Sequence, residues 1–354
     1  MGIGNGVASM THTVRWNLHE NVKINKKEIR EAVDFLESGM TVAFPTETVY
    51  GLGADATNEE AVAKIFVAKG RPADNPLIAH VATKQQLLGL VDNITESAKK
   101  LVDKFSPGPI TFVLASNGTC ATNVTAGLST IAVRIPDHPI ALQLLKEVNI
   151  PIAAPSANIS GRPSPTTADH VWSDLNEKIN GIIDGGPAGV GVESTVVDCT
   201  GEIPVILRPG GITQEQMEAV VGKVISGPAF KNVDNIAKAP GMKYTHYTPE
   251  APLWLVAGSV DKLQTVVADE QKTGKRVGVM ASDEMAMANI LQAEQIIQLG
   301  SRENLSEIAS NLYDALRSFK NADIDLIICE SFSENDIGQA IMNRLTKAAT
   351  KYLK

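Results

Sequence analysis

The chain has 354 residues, a formal net charge of −8 and a hydrophobic fraction of 44%. This length exceeds what one hydrophobic core usually serves, so two domains are expected in an ordinary globular protein. The acidic balance argues against a nucleic-acid-binding protein that depends on a broad basic face. No apolar run approaches the length of a membrane span, and three widely spaced cysteines indicate neither a disulfide framework nor a zinc site. We therefore expect a cytoplasmic protein without a membrane segment.

The first predicted elements are a helix over Lys26 to Glu37, with apolar residues at helical spacing, and a short strand over Val42 to Phe44. Pro45 has no N–H to give to a β-ladder and must end this strand, so Thr46 lies at the carboxyl end of the strand. Ligands bind at that edge in open α/β sheets. Thr46 is therefore a candidate binding residue.

The second predicted helix begins with a capping box formed by Thr57 and Glu60, and its last turn delivers Lys69 and Arg71. Two cations beside a glycine turn suit a phosphorylated ligand. Basic residues are also commonplace in the last turn of a helix, where they complement the helix dipole. Taken alone, the pattern fits both interpretations.

Two further predicted strands carry a basic residue among apolar neighbours. His80 lies in the strand Leu77 to Val81, where a hydrogen-bonded core histidine is a commoner outcome than a functional one. Arg134 lies in the strand that ends at Pro136, and a charged residue in a buried strand needs a partner or a ligand. Arg134 is therefore the stronger candidate of the two.

Polar residues that are far apart in sequence fall at or just beyond predicted strand ends of the first domain. They are Thr46, Lys69, Arg71, His80, Arg134, Ser156, Asn158, Ser194 and Arg208. Strand ends lie side by side in a parallel or mixed sheet, so these side chains can share one crevice. Its cations would suit a triphosphate or a carboxylate. The sequence contains no P-loop and no Ser-His-Asp order, which argues against P-loop phosphotransfer and hydrolytic triads.

The chain is predicted to form a first domain over 14–221, a linker over 222–252 and a smaller domain over 253–354. The linker has prolines, glycines and no sustained period. Its candidate ligand contacts are Lys243, Tyr244, His246 and Tyr247. Strands and helices alternate in the last segment, ending with a helix over Asp336 to Tyr352, which predicts a small parallel sheet covered by helices on both faces.

Several ordered motifs, taken together, resemble those of the YrdC/Sua5 family of threonylcarbamoyl-AMP synthases. They are FPTETVYGLG, AKGRP, NPLIAHV, SPGPITFVL, AVRIPDHP, APSANISGRPSPT, GVESTVVD and ILRPG, and the segment APGMKYTHYTP resembles the Sua5 linker. The resemblance spans roughly Lys26 to Pro252, and the remaining length is that of a Sua5 C-terminal domain. It implies the long, Sua5 form, in which a YrdC-like twisted open α/β sheet is joined to a smaller Rossmann-like domain.

The resemblance also implies an activity, that of an L-threonylcarbamoyladenylate synthase. Such a nucleotidyltransferase joins L-threonine, bicarbonate and ATP, with Mg²⁺ accompanying ATP, and releases pyrophosphate. Its product feeds the transferase machinery that forms t6A in tRNA. The implied catalytic residues are Lys69, Arg71, Ser156 and Asn158; the threonine contacts are Thr46, His80, Arg134 and Ser194; the ATP contacts are Lys69, Arg71, Asn75, Thr130, Ser156, Ser164, Arg208 and Tyr247. No metal ligand or general base is assigned. The resemblance makes residues 14–221 the catalytic domain. A carbamate hydrolyses readily, which favours a closed site, so linker residues 241–249 are predicted to act as a lid.

Two alternatives stay open at this point. YrdC-like domains are also associated with binding of double-stranded RNA, so the chain could be an RNA-binding module or could make a weak contact with RNA. A related carbamoyl-adenylate chemistry, which starts from carbamoyl phosphate, occurs in the YrdC-like part of hydrogenase maturation proteins. The acidic composition counts against the RNA-binding module.

Overall fold

The structure is a computed structural model, and it describes residues 11–19, 26–226, 247–288, 291–320 and 322–354. The strands are β1 (Val14–Asn17), β2 (Val42–Phe44), β3 (Gly51–Asp55), β4 (Ile78–His80), β5 (Ile110–Ala115), β6 (Thr130–Arg134), β7 (Ile152–Ala153), β8 (Gly181–Asp184), β9 (Thr195–Asp198), β10 (Val205–Arg208), β11 (Leu253–Val256), β12 (Val277–Ala281), β13 (Gln295–Gln298), β14 (Leu326–Glu330) and β15 (Lys351–Leu353). The helices are α1 (Lys26–Glu37), α2 (Glu59–Lys69), α3 (Lys84–Leu88), α4 (Glu96–Phe105), α5 (Thr122–Thr125), α6 (Pro139–Val148), α7 (Ala168–Leu175), α8 (Gln214–Val221), α9 (Val260–Lys272), α10 (Asp283–Ala286), α11 (Leu305–Ser318) and α12 (Gly338–Ala348).

The first ten strands form one mixed sheet in the order β1-β8-β2-β3-β7-β4-β6-β5-β9-β10. Strands β4 and β6 pair in parallel, and so do β5 and β9, whereas β5 and β6 are antiparallel. All residues of β2 and β4 are buried, as expected for strands that are covered on both faces. The mixed α/β architecture predicted for this part of the chain is confirmed. The order brings the ends of β4, β6 and β9 to one region of the sheet.

Strand β3 was not predicted, because its glycines resemble a loop. A Cβ atom on Gly53 would lie 2.9 Å from both the Ile152 side chain and the Phe44 ring. Gly53 therefore does not form a turn. It allows the neighbouring strands to pack closely. Because β2 and β3 are antiparallel neighbours, residues 45–50 form the connection between them. Thr46 lies in this connection.

The helix α2 begins one residue later than predicted. Its N-cap is Asn58, whose Oδ1 accepts hydrogen bonds from the backbone N–H groups of Glu60 (3.0 Å) and Ala61 (3.1 Å). The predicted capping box of Thr57 and Glu60 is wrong, because the Thr57 hydroxyl donates to Asp55 Oδ1 at 2.7 Å instead. Asparagine is as good an N-cap as threonine, and the sequence offers both in succession.

The second sheet has five strands in the order β13-β12-β14-β11-β15, and all four pairings are parallel. The predicted parallel sheet is therefore confirmed. The predicted final helix is wrong in its last part: α12 ends at Ala348, the backbone of Ala349 is extended, and Lys351–Leu353 pairs with β11 as an edge strand. Apolar residues at helical spacing continue past the end of α12, which explains the error.

All three cysteines, Cys120, Cys199 and Cys329, are buried and free. Burial raises the pKa of each thiol above its usual range. The thiolate is the reactive form, so these thiols are expected to react slowly. Within the part of the chain that the structure describes, no helix is both long enough and apolar enough to cross a membrane.

Candidate functional site

A cleft that is partly open to solvent lies at the ends of strands of the large sheet. A concave site with several convergent polar groups is typical of small-molecule binding. The predicted site residues that line it are Thr46, Lys69, Arg71, His80, Arg134, Ser156, Asn158, Ser164, Ser194, Arg208 and Tyr247. Side chains from across nearly the whole first domain and from the edge of the linker therefore meet in one hollow.

Two predicted ATP contacts, Asn75 and Thr130, are not among the residues that line this cleft. Thr130 begins β6 and Arg134 ends it, so the two are roughly 13 Å apart at 3.3 Å per residue. Asn75 is buried behind Arg71, and its backbone carbonyl accepts a hydrogen bond from the Arg71 guanidinium at 3.3 Å. The side-chain amide of Asn75 has no hydrogen-bond partner among the described residues. The roles of both residues in binding ATP stay predictions.

Lys69 ends α2 and reaches into the floor of the cleft, because Gly70 adopts a left-handed conformation (φ 60°) that stops the helix there. Its ammonium donates hydrogen bonds to the carbonyl oxygens of Ser156 and Asn158, each at 2.5 Å. Burial and the neighbouring Arg71 lower the pKa of Lys69 well below its usual value. Lys69 therefore joins α2 to the segment that carries Ser156 and Asn158.

Arg134, at the end of β6, is buried and has a protein partner that the sequence analysis did not name. Its guanidinium lies 2.7 Å from a carboxylate oxygen of Glu47 and donates to the Thr48 hydroxyl at 2.9 Å. Neither carboxylate oxygen of Glu47 accepts a hydrogen bond of good geometry from the described residues. A buried arginine beside a poorly satisfied carboxylate is a place where another carboxylate could bind.

Thr46 and His80 lie on the same side of the cleft as Arg134. The Thr46 hydroxyl donates to the Val49 carbonyl at 2.7 Å, which fixes the turn after β2. The His80 ring lies edge-on to Phe44, and its Nδ1 is 3.2 Å from the Ile78 carbonyl oxygen. Burial and Arg134 lower the pKa of His80 to about 3. The His80 imidazole is therefore neutral, and it gives the cleft an uncharged polar group.

Ser194 and Arg208 form a second cluster in the lining of the cleft. The Arg208 guanidinium donates to the Ser194 carbonyl through Nε at 3.2 Å and through Nη2 at 2.9 Å. The Ser194 hydroxyl lies 2.8 Å from the Thr111 hydroxyl. Arg208 and Ser194 are thus held against each other, although 13 residues separate them in sequence. Five cationic side chains line the cleft: Lys69, Arg71, Arg134, Arg162 and Arg208.

Glu193 is a buried carboxylate in the cleft wall that was not predicted from the sequence. It accepts hydrogen bonds from the Ser164 hydroxyl (2.5 Å), the Arg344 Nε (2.8 Å) and the Tyr313 hydroxyl (2.8 Å). Burial by itself raises the pKa of Glu193, but Arg344 and Arg208 outweigh it and lower the pKa to about 2. A glutamate directly before Ser194, in an otherwise apolar run, was the available signal.

Two carboxylates in or beside the cleft wall pair with arginines. Glu47 pairs with Arg134 and Glu193 pairs with Arg344. In the described ranges, no group of three or more His, Cys, Asp or Glu side chains is placed to hold a metal ion. Mg²⁺ commonly binds through ligand phosphates and water with few protein ligands, so the predicted Mg²⁺ does not require such a group.

Two protein-family models match this chain. A family model described as "Telomere recombination", for Sua5, YciO and YrdC, matches residues 34–210, and a second, described as "Threonylcarbamoyl-AMP synthase, C-terminal domain", matches residues 212–350. The threonylcarbamoyl-AMP synthase of Bacillus subtilis is 49% identical over 95% of this chain and 98% of its own length. That of Schizosaccharomyces pombe is 40% identical over 94% of this chain and 91% of its own.

Solved structures agree with these matches. The crystal structure of Pyrococcus abyssi Sua5 complexed with L-threonine superposes with a TM-score of 0.90 at 46% identity, covering 97% of this chain and 99% of that one. Escherichia coli YciO, with a TM-score of 0.51 at 23% identity, shares the fold of the first domain only and covers 57% of this chain. The names of the full-length relatives favour an enzyme over an RNA-binding module. The chain therefore belongs to the Sua5/YciO/YrdC family, in its long form with a Sua5 C-terminal domain.

Proposed function

We propose that this protein is a nucleotidyltransferase that makes L-threonylcarbamoyladenylate from L-threonine, bicarbonate and ATP. The observation that carries the proposal is the cleft itself, in which five cations and several small polar groups from separate elements surround one hollow. Its relatives with 40–49% identity over nearly the whole chain are named for this activity. The product would serve the machinery that forms t6A in tRNA.

The phosphate side of the cleft is assigned to Lys69, Arg71 and Arg208. The first two lie within one turn at the end of α2, and Arg208 approaches from β10. Phosphoryl transfer depends mostly on positioning and on neutralising charge, and these side chains supply both. Ser156, Asn158 and Ser164 provide polar groups between them. Tyr247 completes the wall at the edge of the linker.

The threonine side is assigned to Thr46, His80, Arg134 and Ser194. Arg134 would receive the carboxylate of threonine, because it is the buried cation of this side and its protein partner, Glu47, is incompletely hydrogen-bonded. A neutral His80 and the hydroxyls of Thr46 and Ser194 are suited to the amine and hydroxyl of threonine. Related Sua5 of Pyrococcus abyssi has been crystallised with L-threonine, which supports this substrate.

The reaction follows from this arrangement in two steps. The threonine nitrogen forms a bond to the bicarbonate carbon, and water leaves, which gives a carbamate. A carbamate oxygen then attacks the α-phosphorus of ATP, the bond to the β-phosphate oxygen breaks, and pyrophosphate leaves. Holding both substrates in one cleft makes the second step effectively intramolecular and limits hydrolysis of the carbamate.

Mg²⁺ would enter as the MgATP complex, where it would share the neutralisation of phosphate charge with Lys69 and Arg71. Three free cysteines fit a reducing compartment, so we place the protein in the cytoplasm. The predicted lid, residues 241–249, lies mostly outside the described residues. Tyr247, Thr248 and Pro249 are described, and the Thr248 N–H donates to the Gly161 carbonyl at 2.9 Å, so this end of the linker already contacts the cleft loop.

The test is pyrophosphate release by the purified protein. We expect release from MgATP only when both L-threonine and bicarbonate are present, and expect Arg71→Ala to abolish it while the protein stays folded. Arg30→Ala, a change at an exposed arginine of α1, serves as the control and leaves release unchanged. Release that does not depend on threonine would overturn the substrate assignment.

A further inference from the structure

Among the described residues, the largest fully buried side chain belongs to the C-terminal domain and is Arg344 of α12. Its Nε donates to the Glu193 carboxylate at 2.8 Å, its Nη1 donates to the Pro209 carbonyl at 2.8 Å, and its Nη2 donates to the Glu193 carbonyl at 3.4 Å. Glu193 directly precedes Ser194, and Pro209 directly follows Arg208. One guanidinium from the second domain therefore joins the two chain segments that form one side of the cleft.

A second arginine of the same domain makes an equivalent contact. Arg317 of α11 donates to the Pro163 carbonyl at 2.5 Å and to the Asp174 carboxylate at 2.9 Å. Pro163 directly precedes Ser164, which is itself bonded to Glu193. Backbone carbonyls beside three cleft residues are thus held by arginines of the other domain.

Aromatic rings seal this contact from water. Tyr247 lies 5.6 Å from the Arg344 guanidinium and 5.5 Å from the Tyr313 ring, and all three side chains are buried. In such a dry environment a charged hydrogen bond to a carbonyl is strong and directional. The planar fork of arginine can serve several acceptors at once, whereas the lysine ammonium is a point charge.

From these contacts we propose that the C-terminal domain is part of the active-site scaffold, and that Arg344 is a positioning residue that sets the separation of Ser194 and Arg208. Arg344 does not line the cleft and touches no substrate. It acts on binding through Glu193, Pro209 and Ser164. The proposal rests on the proposed function in one respect only, which is that the cleft is where ATP and threonine bind.

The main test is Arg344→Lys, assayed for pyrophosphate release well below the melting temperature. Lysine keeps a positive charge beside Glu193, which protects folding, but it cannot hold the carboxylate and both carbonyls together. We expect KM for ATP to rise at least fivefold. A residue that only stabilised the fold would lower the fraction of active enzyme, and hence apparent kcat, without changing KM. A KM within twofold of the unchanged protein would overturn the proposal.

The matched control is Arg302→Lys. Arg302 also belongs to the C-terminal domain and also pairs with a buried glutamate, Glu330, but both lie at the ends of the smaller sheet and neither lines the cleft. We expect KM for ATP in this variant to stay within twofold. An equal rise in both variants would show that general destabilisation of the domain is responsible, and would overturn the role of Arg344.

A pair of glycine variants tests the same idea without changing a charge, and decides the matter if Arg344→Lys does not fold. A Cβ atom on Gly191 would overlap the Ser310 Cα and lie 2.5 Å from the Ala309 carbonyl oxygen of α11, whereas one on Gly189 would meet nothing within 4 Å. We expect Gly191→Ala to raise KM for ATP and Gly189→Ala to leave it unchanged. Gly118→Ala, at an open position with φ 81°, controls for backbone strain alone. Equal KM values for Gly191→Ala and these controls would overturn the proposal.

Hydrogen exchange separates this proposal from the proposed function. We expect amides in residues 193–196 and 208–212 to exchange at least tenfold faster in Arg344→Lys than in Arg302→Lys, with or without turnover. Such a change in a protein that releases no pyrophosphate would sink the proposed function and leave the scaffold role standing. Unchanged exchange in an enzyme that does release pyrophosphate would overturn the scaffold role of Arg344 and leave the proposed function standing.

Discussion

The ion pair between Glu47 and Arg134 offers a direct test of where threonine binds. Arg134 faces the Glu47 carboxylate at 2.7 Å, and the exposed fractions of the two side chains are only 5% and 13%. Glu47→Gln removes the charge but keeps the shape. Arg134 retains hydrogen bonds to the Thr48 hydroxyl and the Gly108 carbonyl.

Two opposite effects are expected from Glu47→Gln. Removing one partner of a buried ion pair typically costs about 3–5 kcal/mol, because the other charge stays buried without compensation. Arg134 keeps its other hydrogen bonds, and the amide dipole of glutamine partly replaces the lost charge. We therefore expect a loss of stability at the lower end of this range, about 3 kcal/mol. For a domain of this size, each kcal/mol lowers Tm by roughly 2–4 °C, so a fall of roughly 6–12 °C is expected. The carboxylate of threonine then no longer competes with Glu47 for Arg134, so threonine binds more tightly.

The assay is thermal denaturation with and without L-threonine, together with calorimetric titration of threonine. Glu47→Gln should melt at a lower temperature than the unchanged protein, should be stabilised more by saturating threonine and should have a lower Kd for it. Glu202→Gln, at an exposed position, should change neither quantity. A higher Kd for threonine in Glu47→Gln would contradict this prediction, because Glu47 would then be a ligand of threonine rather than its competitor.

Two further predictions concern protons. The pKa of His80 is lowered to about 3 and a histidine in the unfolded chain titrates near 6.5, so the unfolded state takes up this proton first. The free energy of unfolding should therefore fall by up to about 1.4 kcal/mol per pH unit as the pH drops from about 6.5 towards 3. His80→Gln should remove this part of the pH dependence in denaturant titrations. The same pH dependence in the variant would contradict the prediction. The lowered pKa of Lys69 should rise when phosphate binds beside it. At alkaline pH, MgATP binding should therefore take up a proton, which is seen as a buffer-dependent binding enthalpy that Lys69→Met abolishes. A buffer-independent enthalpy would show that Lys69 is already protonated in the free protein.

The convergence of the cleft residues could be predicted from sequence because it follows from topology. Arg134 and Ser194 come at the end of β6 and just before β9, and strands that lie close together in the sheet bring such residues together whatever the details of packing. Identifying the partner of Arg134 was harder. Glu47 is close to Thr46 in sequence, but only the turn after β2 decides which of these side chains faces Arg134.

The contacts between the domains could not be predicted from local pattern. Arg344 lies on the apolar face of α12 together with Ile341 and Leu345, which indicates a buried arginine that needs a partner. The partner, Glu193, is 151 residues away, and no spacing rule joins them. The edge strand β15 was missed for a related reason, since strand pairing with β11 overrides a helical spacing of apolar residues.

The three buried thiols make this chain convenient for optical measurement. Since Cys120, Cys199 and Cys329 are shielded and hard to ionise, a maleimide dye would react first with a cysteine introduced on the surface. Exposed Lys100 and Lys272, one on each domain, are suitable places for a donor and an acceptor fluorophore. Energy transfer between the two fluorophores would report the distance between the domains during turnover. No native residue in either core would have to be replaced.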